Sequence, residues 1–391
     1  MLDAQLISTV YGRHPARVMG FEELRAGLAE AERAGNVVAS REQGLEVYMY
    51  TNGCRFENRW DLFSLLARGL ILDPPAKRVL ATPFPKFFNF RELIPTLPDE
   101  PFEVTEKIDG SLGILFHHDG RWRISTKGRL DSEQATWANA FLERHVNTDS
   151  LVPGSTYLVE IIYPENRIVI PYGFEALVLL GTYDADGYEL SRADLESAAG
   201  QTGMRIVGSH SYSSIDDLLS VARALPRDKE GFVVRFRSGL RIKLKGEEYC
   251  RIHRLVCYCT PLTLWEAMMN GDDLDSLRRE LPEEMTRDFD TIRGLLQSRF
   301  DSIVSELKSA RDTVAHLSDK ELGLRLQSEG PGFSPPVRKL VFMCRKAGFF
   351  EHVHEPGEAR RKAFQFFRPD RNELPGYVPS NAMTRFQSES A

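Results

Sequence analysis

The residue with most chemical promise is a lysine, set in Glu106-Lys107-Ile108-Asp109-Gly110-Ser111. Apolar runs flank this stretch, Phe102-Glu103-Val104 before it and Leu112-Gly113-Ile114-Leu115-Phe116 after it. Lys107 therefore falls at a break between two strands, with Gly110 supplying the bend. An amine held there becomes a nucleophile once nearby cations or loss of water depress its pKa. The same short pattern also describes a polar hairpin turn, so the rest of the chain has to supply cations and phosphate ligands.

Candidates lie on both sides of the lysine. Upstream, Ala67-Arg68-Gly69-Leu70 and Pro85-Lys86-Phe87-Phe88 each set one cation beside apolar strand residues. Downstream come Ser125-Thr126-Lys127-Gly128, Leu158-Val159-Glu160, Lys229-Glu230-Gly231-Phe232 and Arg241-Ile242-Lys243-Leu244-Lys245. Side chains two apart on a strand share a face, so Lys243 and Lys245 present a paired ammonium surface while Ile242 and Leu244 face the core. Two adjacent ammonium groups repel unless an anion lies between them. Singly, such strand-end charges are ordinary solvated rim residues.

Taken together and in this order, the set resembles the covalent nucleotidyltransferases, the superfamily of ATP-dependent ligases and capping enzymes. It is most similar to the RNA ligase 1 family of T-even phages, which repairs broken tRNA. The resemblance runs from about Tyr48 to Tyr249, through motifs that are short singly and specific jointly. It implies that Lys107 carries AMP, that Asp109 and Gly110 shape the turn aiming it, and that Tyr48, Phe88 and Glu106 belong to the nucleotide site. Arg68, Lys86, Lys127, Lys243 and Lys245 would grip phosphates, Glu160 would contact the ribose or a metal, and Glu230 would hold a divalent ion near the α-phosphate. The implied cosubstrate is ATP with Mg²⁺ or Mn²⁺. The implied substrate is RNA with 5′-phosphate and 3′-hydroxyl ends, a nicked tRNA by family analogy, with an end-healing kinase/phosphatase as partner. The residue reading agrees, since a triphosphate needs several converging cations and a lysine nucleophile needs like charges to depress its pKa.

The elements that must position these residues follow from the punctuation of the chain. Its 391 residues are 42% hydrophobic, enough for cores in two domains. Phe21 to Glu30 has helical spacing, ended by Gly35 and Asn36. Short apolar runs broken by Gly, Pro, Asn and Asp then continue to about Arg254, interrupted by a capped helix opening at Ser191 and a helical stretch from Ile215 to Leu225. After Thr260-Pro261 the segments lengthen and become amphipathic: Leu262 to Met269, Met285 to Leu317, Pro336 to Lys346 and Ala359 to Phe367. The expected fold is α+β: a nucleotidyltransferase domain with antiparallel sheets over residues 1–255, then an all-helical RNA-specificity domain over 256–391. A formal net charge of −6 means that any phosphate contact comes from local clusters rather than a general basic coat. Five cysteines, no leader at Met1-Leu2-Asp3 and no run of ~18 apolar residues predict a reducing cytoplasm, no disulfides and no membrane contact.

Three features of the second half carry separate expectations. Asp273, within Gly271-Asp272-Asp273-Leu274-Asp275, is the nearest candidate for the family's early metal-binding aspartate, against its reading as an acidic first turn of a helix. Cys250, His253, Cys257 and Cys259 gather soft ligands without a standard zinc spacing, and buried apolar cysteines are the alternative. Phe367-Arg368-Pro369-Asp370-Arg371 reads as a basic tail. DNA-nick ligases and RNA-capping guanylyltransferases place a small β-barrel after the paired-lysine strand; helices follow here, which argues against both. A catalytically idle RNA-binding module of the same fold is the remaining alternative.

Overall fold

The computed structural model describes residues 13–90, 92, 97–257, 259–281, 283–327, 334–345, 349–370, 372–380 and 383, and the side chains of 254–257, 280, 283, 284 and 351 lie outside that description. The chain divides into two compact units, one ending at Cys250 and the other running from Arg251 to Thr384.

Three sheets build the first unit. A meander of Val37–Glu42, Leu45–Tyr50, Arg68–Asp73 and Arg78–Ala81 packs under the helix Phe21–Arg33, whose Leu24, Leu28 and Ala31 meet Val37, Tyr48, Leu70 and Leu72. A second sheet orders its strands Arg205–Ile206, Ala176–Tyr183, Thr156–Ile162, Ser111–His118 and Arg121–Thr126. The third orders Ser209–His210, Phe102–Lys107, Gly231–Phe236, Arg241–Lys245 and Phe88–Asn89. Pairing is antiparallel except for Ala176–Tyr183 with Arg205–Ile206 and Arg241–Lys245 with Phe88–Asn89. Lys107 thus ends a strand of the third sheet and Ser111 opens one of the second, so the turn between them bridges two sheets.

The capped helix after Ser191 runs Arg192–Thr202, with the Ser191 hydroxyl accepting from the Asp194 N–H, and the helical stretch before Pro226 runs Ile215–Arg223. A helix the punctuation did not reveal, Glu133–His145, opens on Ser132 and lays Ala138 and Leu142 on the second sheet. Its alanine-rich sequence offers a weak apolar stripe, which is why periodicity alone passes over it.

The second unit is helical. Pro261–Asn270 starts on the Thr260 cap with Pro261 in its first turn, and Leu274–Glu280, Glu283–Thr313, Asp319–Gln327, Pro335–Cys344 and Glu358–Phe364 follow. Its core gathers Trp265, Phe289, Phe300 and Phe364, with the Trp265 indole N–H donating to the Phe364 carbonyl at 2.9 Å. The expected basic tail is corrected here. Phe367 is buried 4.9 Å from the Phe364 ring, and Arg368 lies over Trp265, because the aromatic side chain finds core volume that the tail reading denied it.

Candidate active site

Strand register brings the charged groups together. Gly231 is paired with Lys107 on one neighbouring strand and with Lys245 on the other, so Glu230, one residue earlier, sits between two lysines. Glu230 Oε2 accepts from Lys107 Nζ at 2.9 Å and its Oε1 from Lys245 Nζ at 2.9 Å. The glutamate side chain is only 2% exposed, against 22% and 23% for the lysines. Position 231 has to be glycine, because a Cβ there would collide with the Leu244 carbonyl oxygen.

Gly110 performs a similar service across the sheets. A Cβ at 110 would stand 2.8 Å from the Ile161 carbonyl oxygen and 3.0 Å from Glu160 Cγ, so only glycine lets the turn close on the strand Thr156–Ile162. That approach brings buried Glu160 within electrostatic reach of Lys107. Asp109 points the other way and acts as a strut. Its Oδ2 accepts from the Val169 and Ile170 N–H groups at 2.9 Å each, and its Oδ1 accepts from the Tyr249 hydroxyl at 2.8 Å. The Asp109 N–H donates to the Tyr172 hydroxyl, and Ser111 Oγ donates to Asn166. The Lys245 ammonium lies 4.9 Å over the Tyr249 ring, which closes a circuit from Lys107 through Glu230, Lys245, Tyr249 and Asp109 back to the lysine turn.

A second group of cations adjoins the first. Phe88 and Asn89 pair with Ile242 and Lys243, which sets Lys86 beside Lys243. Lys86 Nζ sits 5.5 Å over the Tyr50 ring, 5.5 Å over Trp60 and 5.1 Å over Phe88. Arg68 lies over the Phe87 ring, and its buried Nη1 has no hydrogen-bond partner among the described residues. Lys127 Cα would lie 3.0 Å from a Cβ on Gly69, and the Lys127 charge bears on Lys86.

The electrostatics sort these groups into two kinds. Burial, and then the charges of Lys86, Lys245, Lys107 and Arg68, hold Lys243 well below the ordinary lysine range. Burial, followed by Arg68, brings Lys86 down to about 8. Lys107 differs: burial pushes it down, but Glu230 and Glu160 outweigh burial and leave it above the ordinary value. The expectation that like charges depress the nucleophile is therefore corrected, because the pull of Glu230 and Glu160 outweighs burial at Lys107. Burial raises Glu160 to about 7, with Lys107 opposing, whereas the pull of Lys107 and Lys245 holds Glu230 low despite its burial.

Other assigned residues fall elsewhere. Tyr48 lies in the core under the first sheet with its hydroxyl on Glu46, and a register shift between Tyr48 and Met49 separates it from Tyr50, whose ring meets Lys86. Glu106 Oε1 faces His210 and Lys229, each at 3.4 Å, on the opposite side of the strand from Lys107. Asp273 caps the helix Leu274–Glu280 by accepting from the Ser276 N–H at 3.0 Å, the helix-end role weighed against metal binding. Among the described residues no three His, Cys, Asp or Glu side chains gather as a metal site, and the Cys257 side chain lies outside them. Tyr50, Trp60, Tyr172 and Tyr249 are site residues the sequence reading did not assign. Aromatic residues next to strand ends are their only local signal.

Comparison with known proteins finds similarity to RNA ligases. The family model described as RNA ligase matches residues 66–249. The chain is 23% identical over 357 residues to an RNA ligase of Rhodothermus phage RM378, covering 71% of this chain and 80% of that one. It is 25% identical to a putative bifunctional polynucleotide kinase/RNA ligase of Autographa californica nuclear polyhedrosis virus, covering 72% of this chain but only 42% of the relative. An archaeal ATP-dependent RNA ligase structure aligns at 15% identity with a TM-score of 0.46, over 73% of this chain and 83% of that one. Lys107, its two carboxylates and the cations around them all lie inside the stretch that the RNA ligase model matches.

Proposed function

We propose that Lys107 is the nucleophile that takes AMP from ATP, as the first of three displacements that join a 5′-phosphate to a 3′-hydroxyl of RNA. Lys107 bonds to the α-phosphorus as pyrophosphate leaves. AMP then passes to the RNA 5′-phosphate, and the 3′-hydroxyl attacks that phosphate and releases AMP. The observation that carries this reading is Glu230 bridging Lys107 and Lys245 at 2.9 Å beside a desolvated cluster of Lys86, Lys243 and Arg68. Buried cations with depressed pKa and an Arg68 nitrogen unpartnered among the described residues suit the anionic oxygens of a triphosphate.

Glu160 and Glu230 offer the hard oxygen donors that Mg²⁺ or Mn²⁺ takes together with substrate phosphates. When bound, such a cation spreads charge on the phosphate oxygens. The residues themselves orient the lysine through Gly110 and Asp109 and shield it within the sheet junction. Lys107→Ala should abolish labelling from radiolabelled ATP and divalent cation, while folding persists by circular dichroism. Persistent labelling of that variant would refute the assignment.

The RNA is proposed to be a nicked tRNA selected by residues 256–391. Arg338 and Lys339 on the exposed face of Pro335–Cys344, near Phe342, support this as a phosphate-backbone contact on an acidic chain. The kinase activity in the name of the baculovirus relative supports an end-healing kinase/phosphatase acting with this ligase. Cys54, Cys250, Cys259 and Cys344, in no disulfide among the described residues, suit a reducing cytoplasm, and among the described residues no helix is long and apolar enough to cross a membrane.

A further inference from the structure

Between Tyr50 and Trp60 the chain makes an excursion whose two ends are pinned at one place. The Tyr50 and Trp60 rings meet edge to face with centroids 5.1 Å apart, and both rings carry the Lys86 ammonium. The excursion begins with the short helix Asn52–Phe56, capped by the Thr51 hydroxyl, which itself donates to the Gly35 carbonyl. Cys54 is fully buried and anchors the inner side by donating to the Arg59 carbonyl. The outer side carries Phe56, which is 71% exposed, and the Arg55 guanidinium lies 5.4 Å over its ring. Arg55 also contributes to the positive field that depresses Lys86.

Single exposed apolar residues are normal on proteins, but three features together bear on this one. The ring is held on a backbone fixed at both ends. It is backed by a cation. It lies only four positions from Trp60, which limits the Cα separation to ~14 Å. An aromatic face beside positive charge is what unpaired nucleic acid uses, because every base can stack and every phosphate is anionic.

We propose that Phe56, backed by Arg55, is a stacking platform for an unpaired nucleotide of the RNA end next to the phosphate-handling cluster. This rests on the RNA-joining reading above and deepens it by naming how a single-stranded end is held. The platform acts on RNA and leaves ATP alone, so binding and nucleotide transfer should separate. Stacking also requires an aromatic ring rather than apolar bulk.

The test measures binding of a fluorescently labelled single-stranded oligoribonucleotide to the full chain, at one salt concentration, for wild type, Phe56→Ala, Phe56→Leu and Phe56→Trp. Labelling from ATP is followed in the same preparations. Loss of one stacked base predicts a Kd about 5- to 150-fold weaker for the Ala variant, a comparable loss for Leu, and near-wild-type binding for Trp. Labelling should stay at the wild-type level in all three. Unchanged binding by Phe56→Ala, or full retention by Phe56→Leu, would overturn the platform while leaving the ligase reading intact. If wild type fails to label, the ligase reading falls, and the ordering of the binding constants still decides whether Phe56 stacks on RNA.

Discussion

Replacing Glu230 with glutamine removes the charge that joins Lys107 to Lys245 while keeping the shape of the side chain. Two unit charges 2.9 Å apart interact by about 6 kcal/mol gross at an effective dielectric constant of about 20, and Glu230 makes that contact with both lysines. Much of this is offset by the cost of desolvating the three groups. Two consequences follow for Glu230→Gln. Loss of a positioned charge-stabilising group should lower the maximal rate of lysine labelling by about 10²–10³-fold. The pH dependence should move as well. Labelling requires the free amine, so its rate rises as pH passes upward through the pKa of Lys107. Glu230 and Glu160 hold that pKa above its ordinary value, and removing one of them lowers it. The rising limb should therefore shift to lower pH even as the plateau falls. Single-turnover labelling at subsaturating ATP, followed from acid to alkaline pH, reports the groups of the free enzyme. A limb that stays in place, or moves to higher pH, would refute the argument that Glu230 keeps Lys107 protonated.

Other variants test the neighbouring groups. Lys86→Met removes a buried amine whose pKa is about 8 in the folded protein and 10.5 when unperturbed. The folded state bears the full penalty below about pH 8 and sheds it as pH rises toward 10.5, so urea denaturation should show a gain of up to about 3 kcal/mol at pH 7 that shrinks by pH 10. A gain independent of pH would mean that packing, not desolvation, explains it. Asp109→Ala leaves two backbone N–H groups and the Tyr249 hydroxyl without their acceptor. At about 1–3 kcal/mol for each unsatisfied buried group, with entering water repaying part, stability should fall by roughly 2–5 kcal/mol, and labelling should fall with it. Unchanged denaturation midpoints would show that the turn is held by something else. The double variant Arg338→Ala/Lys339→Ala should label normally from ATP yet bind a nicked tRNA stem-loop more weakly, with a salt dependence reduced by about two phosphate contacts; an unaltered salt slope would exclude that face.

The parts of the site that sequence made legible are those governed by strand periodicity and short spacing. Lys243 and Lys245 share a face while Ile242 and Leu244 enter the core, as alternation requires. The bend at Gly110 between two strands follows from the glycine and its apolar flanks. What sequence could not convey was which long-range partners meet these residues. Asp109 is held by groups 60 to 140 positions away, and nothing local to it names Val169, Ile170 or Tyr249. The raised pKa of Lys107 is hidden from sequence for the same reason, because the register that places Glu230 between two lysines is a property of three paired strands. Tyr48 and Tyr50 look equivalent at a spacing of two, and only the register shift between neighbouring strands sends one to the core and the other to Lys86. Phe367 shows the opposite limit, in that a charged neighbourhood disguised a core aromatic.

The central claim is tested most directly by incubating the protein with ATP and a divalent cation, digesting it, and locating bound AMP by mass spectrometry. The account predicts AMP on the peptide that contains Lys107, joined through the lysine side chain and absent when Lys107 is replaced by arginine. AMP attached instead to Lys86, Lys243 or Lys245, or no covalent AMP from a chain that nevertheless seals RNA, would contradict it.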